Sequence, residues 1–269
     1  MTKRSSCDLR ATADAVSTMA QRFAELASTA PQPDREVPAT PGWSITDVLG
    51  HVATEPARYR ELALGQGNWP SRVVDLPAFN AAQIRNLPTR DRKALAAKLL
   101  TDTASLISTI TRFGADPPLM MFDGDQCVRA DLALGTLLGE FVVHGHDIAR
   151  MLHVPWRIDP AHVPIILDGT HEVMAGWVNS AKAGRHFATY ELRLRGSTKH
   201  VYAFDNGDLT VDPPDRRKVD ARISADPVTW LLVSYGRISP WKAGLAGKVI
   251  LWGRKPWLGA AFADLFQPA

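Results

Sequence analysis

Cysteine is nearly missing from this chain: Cys7 and Cys127 are the only two in 269 residues. No Cys-x-x-Cys pair exists, which excludes the usual dithiol redox motif. The pair could close one disulfide, but two free thiols in a reducing compartment are the expectation. A dominant charge sign is lacking too. The formal net charge is only +3, and both signs are scattered. That excludes the basic stripe of a nucleic-acid-binding surface. Clusters such as Asp215-Arg216-Arg217-Lys218 read as solvated turns. No apolar run approaches the roughly 18 residues that a membrane span requires. After Met1-Thr2-Lys3-Arg4 the chain is polar, without the apolar core of a secretory leader, so a cytoplasmic protein is expected. Gly-rich phosphate loops and nucleophile elbows are also missing. Gly244-Leu245-Ala246-Gly247 lacks the helix and lysine that a nucleotide site needs.

What is present is an ordinary globular composition, 45% hydrophobic and 22% charged. It is enough for one large core or two modest ones. The first half reads as helices. Leu9, Ala13, Val16, Met19, Ala20, Phe23, Leu26 and Ala27 form a helical stripe between Asp8 and Thr29. Pro31, Pro33, Pro38 and Pro41 then force an extended connection. Ser44 and Asp47 resemble a capping box opening a helix that runs to about Leu64, where Gly65 and Gly67 end it. Residues 68–88, with Pro70, Pro77 and Pro88, read as a loop. Further helices are expected over Arg90–Phe113 and Leu132–Leu152, making four helices with apolar stripes.

Pro155 to Pro160 mark a domain boundary, giving domains at 1–155 and 156–269. A helix from about Pro160 to Lys182 comes next, and then the period changes. Tyr190–Arg195 alternates like a half-buried strand. Val201–Phe204 and Leu209–Val211 flank an Asn206-Gly207 turn and read as a hairpin. Asp220–Ala225 and Lys248–Trp252 are further strands. Asp226 before Pro227 starts a helix ending near Gly236, and a last helix is expected from Pro256 to Phe266. Trp241, Trp252 and Trp257 read as core packing, or as the lining of an apolar cavity.

One pair of residues carries chemistry. Glu140 and His144 are four apart, so they share a helix face. Glu140 is flanked by Leu137, Leu138, Phe141, Val142 and Val143. An unpaired carboxylate in such surroundings is expensive, so a metal, an arginine or a lysine must compensate it. Upstream, His51 lies in another helical stretch. Alone it reads first as a core histidine hydrogen-bonded to backbone. With Glu140 and His144 it completes a two-histidine, one-carboxylate set suited to a catalytic zinc ion. Asp147 shares their face. It is a further ligand, an outer hydrogen-bond partner orienting His144, or a capping group. His146 points about 120° away from Glu140. His153, His162, His171, His186 and His200 show no mutual metal spacing.

Two segments together resemble a known family. They are Gly42-Trp43-Ser44-Ile45-Thr46-Asp47-Val48-Leu49-Gly50-His51-Val52-Ala53 and Glu140-Phe141-Val142-Val143-His144-Gly145-His146-Asp147-Ile148-Ala149. They are similar to the mycothiol-dependent maleylpyruvate isomerase family, within the DinB-like metalloenzyme superfamily. The resemblance implies an α+β protein: an N-terminal DinB-like four-helix bundle, then a mixed C-terminal domain of sterol-carrier type. It implies His51, Glu140 and His144 as ligands of a divalent metal, usually zinc, and mycothiol as the second cofactor. It implies that the metal holds mycothiol as a thiolate, which attacks a small electrophile in an isomerisation or S-transfer. An arginine from the second domain is expected to hold substrate carboxylates. Arg237 in Tyr235-Gly236-Arg237 is the first candidate, with Arg193, Arg195 and Arg222 as rivals. The competing expectation is a small-molecule or lipid-binding protein that uses a sterol-carrier-type cavity.

Overall fold

The computed structural model describes residues 8–122 and 125–267. Cys7 lies outside them. The described chain divides into two compact units. One holds residues 8–158 and 165–172, the other 159–164 and 173–267.

The first unit is built on long helices. α1 (Leu9–Thr29) is capped by the Asp8 carboxylate, which accepts from the amides of Arg10 and Ala11. α2 (Ile45–Ala63) starts at Ser44. It continues through Pro56, which has no N–H to offer the Val52 carbonyl. A 3₁₀ turn at Val73–Asp75 leads into α3 (Leu76–Arg85), where the sequence reads as loop. The reason is Pro77. It occupies the first turn of α3, where an absent N–H costs nothing, so it starts this helix rather than breaking one. α4 (Arg92–Arg112) follows. The chain then forms a hairpin that its sequence did not announce, β1 (Leu119–Phe122) against β2 (Gln126–Arg129). Met120, Phe122 and Val128 point inward, while Leu119, Met121 and Cys127 are exposed. Cys127 is a free thiol. α5 (Ala130–Leu152) is buried on nearly every side.

α1 packs on α4 and α5, and α2 does the same. Val16, Phe23, Leu49, Leu99, Leu106, Leu137 and Phe141 fill the space between them at full burial. α6 (His162–Val173) adds a close crossing. Its residues from Ile165 onward group with this unit. A Cβ on Gly135 would overlap the carbonyl of Ile165, and one on Gly169 would stand 2.5 Å from the carbonyl of Leu132. The backbones of α5 and α6 therefore touch directly.

The helix expected over Pro160–Lys182 is broken. α6 ends at Val173, a 3₁₀ turn covers Met174–Trp177, and only α7 (Ser180–Ala183) follows. Val178 is extended there because it bridges to Phe266. Five strands form one sheet: β3 (Ala188–Leu194), β4 (Lys199–Asp205), β5 (Asp208–Val211), β6 (Ala221–Ala225) and β7 (Val249–Gly253). Their order is β5-β4-β3-β6-β7. β3 and β6 are parallel, and the other pairs are antiparallel. β4 and β5 make the expected hairpin. Asn206 and Gly207, both at positive φ, form its two-residue turn.

α8 (Pro227–Ser234) begins as expected, with Asp226 accepting from the Thr229 amide. α9 (Pro240–Leu245) was not foreseen. The expected terminal helix splits into α10 (Pro256–Ala260) and a 3₁₀ turn at Phe262–Leu265. That turn drives Phe262 into an aromatic core of Tyr190, Tyr202 and Trp230. The three tryptophans expected to pack or to line a cavity do neither as a group. Trp241 and Trp257 are exposed, and Trp252 is half-buried with the Arg193 guanidinium 5.7 Å from its ring centroid. The chain is thus mixed helix and sheet, with helices first and the sheet after them.

The α5–α6 crossing yields a sharp expectation. Gly135→Ala would force two backbones apart and cost about 3 kcal/mol, at the upper end for overpacking. Gly114→Ala, an exposed position with open space, is strained only by its positive φ. Urea unfolding of the two variants should rank them in that order.

Candidate metal centre

The Ser44 cap sets where α2 begins and therefore where His51 points. Ser44 Oγ accepts from the Asp47 amide at 3.1 Å, and the Asp47 carboxylate accepts from the Ser44 amide at 2.9 Å. Arg90 also pairs with that carboxylate. Burial raises the Asp47 pKa, but the hydrogen bonds from Ser44 and the contact with Arg90 outweigh it, and the net shift is downward. Two turns along α2, the His51 ring is buried, 5.1 Å from the Trp43 ring.

Glu140 and His144 face His51 from α5. His51 Nε2 lies 3.5 Å from Glu140 Oε2, and His144 Nε2 lies 3.2 Å from the same oxygen. One ligand atom from each residue falls within 4.8 Å of the others, the only such group among the described residues. The histidine rings meet edge to face, with centroids 5.4 Å apart. Burial by itself would raise the Glu140 pKa. Hydrogen bonds and charge from His144 and His51 reverse that and hold the carboxyl far below the usual range.

Each histidine turns its second nitrogen toward an acid one helical turn on. His144 Nδ1 is 3.9 Å from Asp147, which is buried. His51 Nδ1 is 3.5 Å from Glu55, also buried. Both Nδ1 atoms are buried without a hydrogen bond. Asp147 therefore stands beside His144 rather than at the convergence point. Glu55 was missed in the sequence. The signal was there: it is four residues after His51 in a helix, the same spacing that singled out Glu140 and His144. Burial pushes the Glu55 carboxyl up, against the opposing charges of Arg58 and His51.

The donor set fits a metal. Two imidazole nitrogens and a carboxylate oxygen converge from two helices, and the nitrogens that face outward from the group have acids to orient them.

The other sequence candidates are placed elsewhere. His146 does not join the group. His153 is the left-handed cap of α5. His186 bonds the Tyr190 hydroxyl at 2.6 Å, and His200 contacts Asp212 at 2.9 Å. The four arginines lie in the second unit. Arg193 and Arg222 both pair with Glu191, Arg195 donates to the Lys248 carbonyl, and Arg237 donates to the Tyr235 carbonyl. Burial raises the Glu191 pKa, but Arg193, Lys199 and Arg222 more than offset it and hold that carboxyl low.

The family model described as the mycothiol maleylpyruvate isomerase N-terminal domain matches residues 13–149. A crystal structure of the mycothiol-dependent maleylpyruvate isomerase is similar, with a TM-score of 0.55 and 16% identity over 86% of this chain and 90% of that one. A histidine-to-alanine mutant of such an isomerase matches with a TM-score of 0.55 and 15% identity, over 90% of this chain and 92% of that one. A search of curated proteins gives no match.

The cap gives a pH-dependent expectation. Asp47 has a lowered pKa in the folded chain, so its stabilisation is present above its ordinary value of 3.8 and fades as the pH falls through the lowered one. Asp47→Asn should cost about 1 kcal/mol near neutral pH. The gap between parent and variant in urea unfolding should narrow as the pH drops below 3.8.

Proposed function

Since the chain belongs to the mycothiol maleylpyruvate isomerase family, we propose that it is an enzyme in which His51, Glu140 and His144 hold one divalent ion. The convergence of their three ligand atoms within 4.8 Å carries this reading. Zinc suits two imidazoles and one carboxylate and would keep a coordination position open. When bound, such an ion supplies positive charge that favours thiolate over thiol in mycothiol near neutral pH.

The chain's own groups do the rest. Glu140 would offset part of the cationic charge, and its Oε2 lies 3.5 Å from His51 Nε2 and 3.2 Å from His144 Nε2. Trp43 covers one side of the His51 ring. Arg237 is proposed as the catalytic group that holds substrate carboxylates, the part that the family resemblance gives to an arginine of the second domain. The reaction is thiol attack on a small electrophile, completed as isomerisation or S-transfer. The same reading takes residues 1–155 as a DinB-like helical domain and 156–269 as a sterol-carrier-type domain. It places the protein in the cytoplasm, and no helix among the described residues is long and apolar enough to cross a membrane.

Purified protein should carry about one zinc-like ion per chain, by analogy with single catalytic zinc sites. Elemental analysis of a Glu140→Ala/His144→Ala double variant should show that ion gone, and unchanged metal content would remove the site. Cobalt-substituted protein should gain a near-ultraviolet sulfur band when mycothiol is added. A spectrum that stays the same at saturating mycothiol, with cobalt still bound, would transfer the lead to the binding-protein reading. A lipid extracted from the purified protein would support that alternative. Arg237→Ala should raise KM for a carboxylate-bearing electrophile while leaving the sulfur band in place. Loss of the band in that variant would contradict the role given to Arg237.

A further inference from the structure

We infer that Glu55 and Arg58 are positioning residues of the centre: Glu55 fixes His51 through Nδ1, and Arg58 fixes Glu55. This rests on the metal reading above and extends it to two residues outside the ligand set.

A neutral imidazole carries one N–H. His51 Nε2 faces the Glu140 oxygen, so a ligand role for Nε2 puts the proton on Nδ1. Nδ1 is buried, and the Glu55 carboxylate 3.5 Å away is the acid beside it. Glu55 Oε1 is likewise buried. A buried imidazole nitrogen without a hydrogen bond and a buried carboxylate oxygen stand face to face. A bond between them satisfies both and selects the tautomer that leaves the Nε2 lone pair free.

Glu55 is held in turn. It is only 2% exposed, and such a carboxylate needs a cation. Arg58, three residues on, brings Nη1 to 2.9 Å from Oε1. The Arg58 guanidinium is itself fixed from outside α2. Its carbon lies 4.2 Å from the Trp69 ring centroid and 4.9 Å from that of Phe79, and Nη1 donates to Gln83 Oε1. Trp69 stacks on Phe122 at 4.3 Å, which ties the clamp to the β1–β2 hairpin. The segment that the sequence presented as loop thus supplies Trp69, Phe79 and Gln83. The line of contacts runs from α3 through Arg58 and Glu55 to His51.

The test is metal affinity of the full-length protein, measured with zinc or cobalt alone against a chromophoric chelator. Every variant is first checked for native circular dichroism. Glu55→Ala should weaken binding about 10- to 100-fold, the range for an outer partner of a ligating histidine. Glu55→Gln keeps the shape and should fall near the low end; it carries the test if the alanine variant does not fold. Arg58→Met should lose about tenfold. Adding Arg58→Met to Glu55→Ala should cost little more, because both act on one ligand. The cobalt visible spectrum should change shape in Glu55→Gln, which a merely structural role would not produce. Folded Glu55→Gln with affinity within about twofold of the parent and the same spectrum overturns the inference alone. A parent protein that takes up no ion overturns the centre, and the inference with it.

Discussion

A carboxylate set in an apolar helix is the constraint that organises this molecule's site. Glu140 sits in α5 among residues that are almost all buried, and its charge cannot be left unanswered. Two histidine nitrogens answer it, one on its own helix and one on α2. Much else serves that meeting. The Ser44–Asp47 box fixes the start of α2, the core between α1, α2, α4 and α5 fixes the helix spacing, and an acid stands behind each imidazole.

Those parts of the fold whose signal is local were legible in the sequence. The stripe of α1, the capping box, the Asp226-Pro227 helix start and the Asn206-Gly207 turn each depend on a few neighbouring residues, and each is found where expected. The Glu140–His144 pair was legible for the same reason, since helix periodicity alone puts both on one face. Other features depend on distant contacts. α3 was hidden because Pro77 opens a helix as readily as it breaks one. The break after Val173 reflects a bridge between Val178 and Phe266, residues far apart in sequence. The placement of Arg193 and Arg222 around Glu191 required the parallel pairing of β3 with β6, which no local pattern encodes.

The two carboxylate clusters differ in kind. Around Glu191 the cations are long side chains of the sheet, reaching in from exposed or half-buried positions. Such an arrangement satisfies an acid and leaves no donor set for a metal. Around Glu140 the partners are two imidazoles, which can give up their protons and become ligands. The chemistry of the partners, more than burial of the acid, separates a structural cluster from a candidate centre.

α5 has a consequence for how such a protein can be altered. Gly135 meets the α6 backbone, and a side chain at Gly145 would overlap the Trp156 ring, whose Nε1 donates to the Val142 carbonyl. The helix bearing two of the three candidate ligands is therefore pinned before and after them, with no slack for a bulkier residue at either point. Directed evolution toward new substrates would find few tolerated steps there. Adaptive freedom is confined to surfaces that do not set the α5 axis, which makes this helix the conservative element of the design and its surroundings the editable one.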